Sequence, residues 1–209
     1  MKNNLSKLLL ISAISPLFMA SLCENQYNEG ILVQNPTKIQ IPKMQSYKIG
    51  DTLWITGKVS SKFLNDATND SIADFDAVVK DYISVSRLVP SDGNSNAIGA
   101  VDEFDLSATE GSIEFEGACP DSEFISRGIL AEDRSYYNYE VALVPKRVGD
   151  YVLSWLGAVD LGNSFSNVNI FDNYTIDGSP NTLGIKSCRT ITTTSFNIES
   201  NSFIFFTVN

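Results

Sequence analysis

From Thr37 to Val208 the chain repeats one device: a short run of alternating apolar and polar side chains, closed by a turn rich in Gly, Asn, Asp or Pro. A period of two sends successive side chains to opposite faces of a strand, so such a run fits a half-buried sheet and little else. Thr37-Lys38-Ile39-Gln40-Ile41 shows it between Pro36 and Pro42, and the two prolines suit a short edge strand. Thr52 to Val59 follows the turn Tyr47-Lys48-Ile49-Gly50-Asp51, with Gly57 marking a bulge or a close approach. Tyr82 to Leu88, Ser112 to Glu116, Glu123 to Leu130, Tyr136 to Val144 and Tyr151 to Leu156 continue the series.

Many short strands with turn signals between them predict an all-β protein, an antiparallel β-sandwich of immunoglobulin-like or related type. At most one short helix is expected, over Ser71 to Lys80, where Ile72, Phe75 and Val79 share a helical face and Ser71 with Asp74 imitates a capping box. The middle third reads as a meander. Phe203 to Val208 is apolar almost throughout, so it predicts a well-buried strand, since exposed it would be a template for aggregation. Gly162 to Gly184 is rich in Asn, Ser and Gly but carries Phe165, Phe171 and Tyr174. It holds either an irregular strand over Val168 to Ile176 or a binding loop built on those three aromatics.

Two short motifs carry a resemblance. Tyr47-Lys48-Ile49-Gly50-Asp51-Thr52-Leu53-Trp54 resembles the opening of macroglobulin-type and immunoglobulin-like domains on bacterial surface proteins, and Gly149-Asp150-Tyr151-Val152-Leu153 resembles a late strand of such sandwiches. The resemblance implies a sandwich and is silent on activity.

The first twenty-three residues have a different character. A basic head (Lys2, Lys7), an apolar run from Leu8 to Met19 and the small residues Ala20 and Ser21 follow the layout of a secretory signal peptide. Cleavage after Cys23 makes 24–209 the mature, single domain, exported to the periplasm, cell surface or medium. The Ala20-Ser21-Leu22-Cys23 tetrad also resembles a bacterial lipobox, departing from it at Leu22, so a lipid anchor on Cys23 is the alternative. No other apolar run is long enough for a transmembrane segment. Loss of Cys23 leaves Cys119 and Cys188 as an even pair, and export favours a disulfide between them, contributing roughly 4 kcal/mol in the chain-entropy account. Two buried free thiols are the other reading.

Composition removes whole classes of chemistry. The chain has no histidine, which excludes Ser-His-Asp and Cys-His catalysis and imidazole metal sites. Its net charge of −10 disfavours nucleic acid and anionic membrane surfaces. No phosphate-binding glycine loop is present, so no nucleotide cofactor is expected. Carboxylates are what remain. A glycoside hydrolase working with two of them is the enzymatic alternative, but Glu114 and Glu116 share one face of one strand, which suits a solvated edge better than a cleft. Calcium is a weaker expectation, at Asn173-Tyr174-Thr175-Ile176-Asp177-Gly178 or at Asp66, Asn69 and Asp70, since both stretches also read as turns. Trp54 and Trp155, each inside a strand, are expected in the core, with glycan stacking as the minority role. The leading expectation is a non-enzymatic binding or surface-assembly module whose partner is a protein or a neutral glycan.

Overall fold

The computed structural model describes residues 31–42, 44–115, 121–155, 168–171, 179–186, 195–197 and 203–209, with side chains left undescribed at 168, 169, 171 and 195–197. In chain order the strands begin with β1 (Leu32–Val33), β2 (Thr37–Gln40), β3 (Ser46–Tyr47), β4 (Leu53–Ser60), β5 (Lys62–Asn65), β6 (Ser71–Ala73), β7 (Lys80–Leu88) and β8 (Ala97–Gly99). A single 3-10 turn, Val101–Glu103, leads into β9 (Phe104–Glu110). Then come β10 (Ser112–Glu114), β11 (Glu123–Arg127), β12 (Ile129–Leu130), β13 (Tyr136–Pro145), β14 (Gly149–Ser154) and β15 (Val168–Phe171). The last three are β16 (Thr182–Lys186), β17 (Ser195–Asn197) and β18 (Phe203–Val208).

These strands form a β-sandwich. The front sheet runs β12-β13-β4-β2-β15, with β9 also on β13. The back sheet runs β17-β16-β8-β7-β14-β18-β3, and β11 joins β7 and carries β10. A small third sheet, β1-β5-β6, pairs with neither, and its Phe63 packs with Val59, Val79 and Tyr137. The alternation of β4 decides how the sheets meet: Leu53, Ile55, Gly57 and Val59 are buried, while Trp54, Thr56, Lys58 and Ser60 face outward. From the back sheet Ile83, Val85, Phe124, Tyr151, Leu153, Ile204 and Phe206 complete the same core. Fully burying an aliphatic or aromatic side chain of this kind stabilises by roughly 1.5–3 kcal/mol, so this cluster is the main source of stability.

Phe203–Val208 is buried on both faces as its composition requires. Its inward residues meet the front sheet, and Phe203 and Phe205 on the other side pack with Val152, Leu183, Ile185 and Ala97. Leu183 and Ile185 belong to β16. The back sheet is thus covered by a second layer of its own making.

Gly57 is a close approach and not a bulge. It stands opposite Tyr139, and a Cβ there would lie 2.1 Å from the tyrosine ring. The ring fills the missing side chain's place, and its hydroxyl donates to Asp81 at 2.9 Å from the facing sheet.

Several expectations are corrected. No helix forms over Ser71 to Lys80. Ser71–Ala73 instead pairs with β5 through a turn in which Asn65 Oδ1 accepts from the backbone of Ala67 and Thr68. Of the supposed apolar face only Val79 is buried, Ile72 and Phe75 being 41 % and 40 % exposed. The Tyr137 hydroxyl then fixes the following stretch, donating to the Asp74 carbonyl and accepting from the Ala77 N–H. β2 is not an edge strand, because β4 and β15 flank it. The middle third is not a meander: the β10–β11 and β12–β13 hairpins belong to opposite sheets, with Gly128 at the crossing. Nor is the pairing wholly antiparallel, since β15 on β2, β16 on β8 and β18 on β3 run parallel.

Candidate functional site: the outer face of the front sheet

The outward parity of the front sheet builds a broad surface. β4 supplies Trp54, Thr56, Lys58 and Ser60, and β2 supplies Lys38 and Gln40. On β13 the same parity gives Tyr136, Asn138, Glu140, Ala142 and Val144. Trp54 stands directly opposite Ala142, half-buried on this face, so the expectation that it fills the core is corrected. The reason is phase, since Trp54 shares its side of β4 with Lys58. Trp155 does lie in the core, 1 % exposed.

The surface changes character along its length. At the β9 edge it is polar and acidic. Thr109 Oγ1 donates to Glu140 at 2.6 Å, Asn138 donates to Glu110, and Lys146 pairs with Asp105 at 3.1 Å. Trp54 and Val144 are apolar in its middle. At the far end Lys38 and Lys58 are direct cross-strand neighbours, both exposed. Lys58 Nζ sits 3.3 Å above the centre of the Tyr136 ring, a cation–π contact. Together with Asn35, Ser60 and Ser135 these residues line a groove of about 480 Å³.

A buried polar cluster lies under this sheet. Asp81 is 2 % exposed and accepts from the Tyr139 and Thr37 hydroxyls, at 2.9 and 3.3 Å. Burial raises its pKa to about 6, against which the two hydroxyl bonds act in the lowering sense. Burial, and then the Asp81 charge, push the Tyr139 hydroxyl far above its ordinary range.

Two other carboxylates are held by cations. Glu103 accepts from Arg87 Nε at 3.0 Å, from Arg147 at 3.1 Å and from the Tyr151 hydroxyl at 2.7 Å. Glu114 takes a two-pronged contact from Arg127, at 2.7 and 3.0 Å, with Lys80 at 3.6 Å. The Arg127 hydrogen bond is the chief reason that its carboxyl is held below the usual carboxylate range. None of these three faces a second carboxylate in the contacts they make.

The remaining sequence candidates divide by position. Phe171 ends β15 opposite Gln40, which brings its backbone to the rim of the outer face. Phe165, Tyr174, Cys23, Cys119, Cys188, Glu116 and the Asn173 to Gly178 loop lie outside the described residues. Asp66 Oδ1 accepts from the Ile31 N–H at 2.6 Å, and Asn69 takes a positive φ of 59° in the same turn. Among the described residues no group of three or more Cys, Asp or Glu is placed to hold a metal ion. No described helix is long and apolar enough to cross a membrane.

The signal for this face was in the sequence: Lys38 with Gln40, and Trp54 with Thr56 and Lys58, repeat at every second residue. The groove could not be read that way, because it depends on the pairing of β2 with β4 and on the turn before β13.

No family model matches the chain, and no curated protein matches it. Two solved structures are similar to it. One is a cohesin module from a family 33 glycoside hydrolase of Clostridium perfringens, 11 % identical, covering 86 % of this chain and 98 % of that one with a TM-score of 0.35. The other is a type II cohesin domain from the cellulosome of Acetivibrio cellulolyticus, 8 % identical, covering 63 % and 81 % with a TM-score of 0.26. Likenesses this slight carry no inference about ligand or partner. What the fold and the surface define is a class: a β-sandwich whose back sheet carries a second apolar cluster on its outer side and whose front sheet presents mainly polar side chains outward among the described residues.

Proposed function

We propose that this chain is an exported, non-enzymatic binding module that uses the outer face of its front sheet to hold a protein or a neutral glycan. The observation that carries the reading is the asymmetry of the sandwich. The back sheet packs Phe203 and Phe205 with Leu183 and Ile185, while the front sheet turns Trp54, partly exposed, outward beside the polar side chains of Thr56 and Lys58. A rigid aromatic on a sheet surface offers large contact area with little side-chain entropy to lose. The internal bonds of Asp81, Glu103 and Glu114 support a structural role for these carboxylates over glycosidic acid–base work. Export rests on the Met1 to Cys23 layout and on the even pair Cys119 and Cys188.

The test is a glycan array and a pull-down with the mature protein, repeated with Trp54→Ala. Binding lost in that variant, with its fold unchanged by circular dichroism, supports the reading. Equal binding by both proteins moves the contact surface elsewhere. Mass spectrometry of the exported protein separates a free Glu24 terminus from an acylated Cys23.

A further inference from the structure

We infer that the groove at the Lys38–Lys58 end of this face is a subsite for a carboxylate-bearing sugar of the uronate type. The inference rests on the outer face of the front sheet being the binding surface, and at this end of it sets an anionic sugar in place of the neutral glycan. Lys38 and Lys58 face each other across β2 and β4, and like charges directly opposite on neighbouring strands destabilise a sheet. Acidic residues outnumber basic ones by 25 to 15 in the chain, yet among the described residues neither ammonium takes a carboxylate into a salt bridge. Asp133 is the carboxylate that feels Lys58, but its Oδ1 is turned to the backbone N–H and hydroxyl of Ser135, at 3.0 and 2.8 Å. Two cations side by side, with Asp133 acting on Lys58 only from beyond salt-bridge distance, suit an anion that arrives from outside. The negative balance of the whole chain does not cancel them, because charges beyond a Debye length of about 8–10 Å are largely screened at physiological salt.

The lining favours a sugar over an acidic peptide. The Asn35 amide donates to the Lys62 carbonyl, which leaves its oxygen to accept. The Ser60 oxygen accepts from the Lys62 N–H, which leaves its proton to donate. Such groups match sugar hydroxyls. An extended peptide would gain most by pairing its backbone with a free sheet edge, and here β2 and β4 have neighbours on both sides.

The experiment titrates the mature protein with trigalacturonate by calorimetry, with maltotriose and hexaglutamate as comparison ligands, at low and at high salt. Wild type should bind trigalacturonate in preference to both, and more weakly as salt rises. The double variant Lys38→Gln/Lys58→Gln should lose at least about tenfold in affinity, and Lys38→Arg/Lys58→Arg should recover most of it. Both positions are exposed, so these variants should fold as wild type does, which circular dichroism checks. No binding by wild type, equal binding by the double glutamine variant, equal binding of maltotriose, or preference for hexaglutamate would each overturn the inference. Failure here with Trp54-dependent binding intact removes the subsite alone, whereas loss of both removes the face.

Discussion

Replacing Asp81 by Asn should invert the usual expectation that deleting a buried, hydrogen-bonded carboxylate weakens a protein. The Asp81 pKa stands at about 6 in the fold against 3.8 for a free aspartate. A raised carboxyl pKa means that the folded state holds its proton more tightly than the unfolded chain does. Its contribution is therefore fully present below the unfolded value and is lost as pH rises through the folded one. The difference of about two units corresponds to roughly 3 kcal/mol lost between about pH 4 and pH 7. An amide in the same place has no charge to bury. Its oxygen can still accept from Tyr139, but its N–H₂ finds only Thr37 close by, and a buried unsatisfied donor costs about 1 kcal/mol or more. Asp81→Asn should thus be about 2 kcal/mol more stable than wild type at about pH 7.5, and about 1 kcal/mol less stable near pH 4. Urea unfolding followed through the buried Trp155, on both proteins at a series of pH values, measures the difference directly. Other carboxylates titrate in the same range, but they are common to both chains and drop out. A difference that stays flat from about pH 4 to pH 8, or a variant less stable than wild type at the upper end, would refute the assignment of a buried, strained carboxylate.

Gly57→Ala should destabilise by about 2–3 kcal/mol, because the new methyl meets the Tyr139 ring inside a packed core; the urea midpoint reads this. Glu103→Gln should cost roughly 1–3 kcal/mol in the same assay, since it leaves Arg87 half-buried without its charge-assisted partner. Tyr139→Phe should destabilise more at neutral than at acidic pH, as the lost hydroxyl is a donor to the Asp81 anion. Trp54→Ala should destabilise by about 1–3 kcal/mol, because most of the ring is buried against the sheet, while abolishing binding on an array.

How much of this was readable depended on whether the information was local. The strands β4 and β18 follow directly from their side chains: Leu53, Ile55 and Val59 fall in one phase, and the run from Phe203 leaves no polar face. The immersion of Asp81 was also in reach. It shares parity with Ile83 and Val85, but an alternation counted from Tyr82 begins one residue too late to include it. The segment after Ser71 misled because Ile72, Phe75 and Val79 have helical spacing by coincidence, while the pairing of Ile72 with Phe63 is decided by the Asn65 turn upstream. Sheet order lay beyond local reading. Which strands run parallel, and that β2 is enclosed by β15, depends on contacts between residues more than eighty positions apart.

The placement of β18 has a consequence for how the protein is made. β18 lies between β14 and β3, and the apolar side chains on both its sides are closed off from water. Every earlier strand of the back sheet is synthesised before it, and until it arrives Tyr151, Val152 and Leu153 have no neighbour along one edge. The nascent chain therefore waits with an unsealed seam, a state that invites chaperones and resists premature locking.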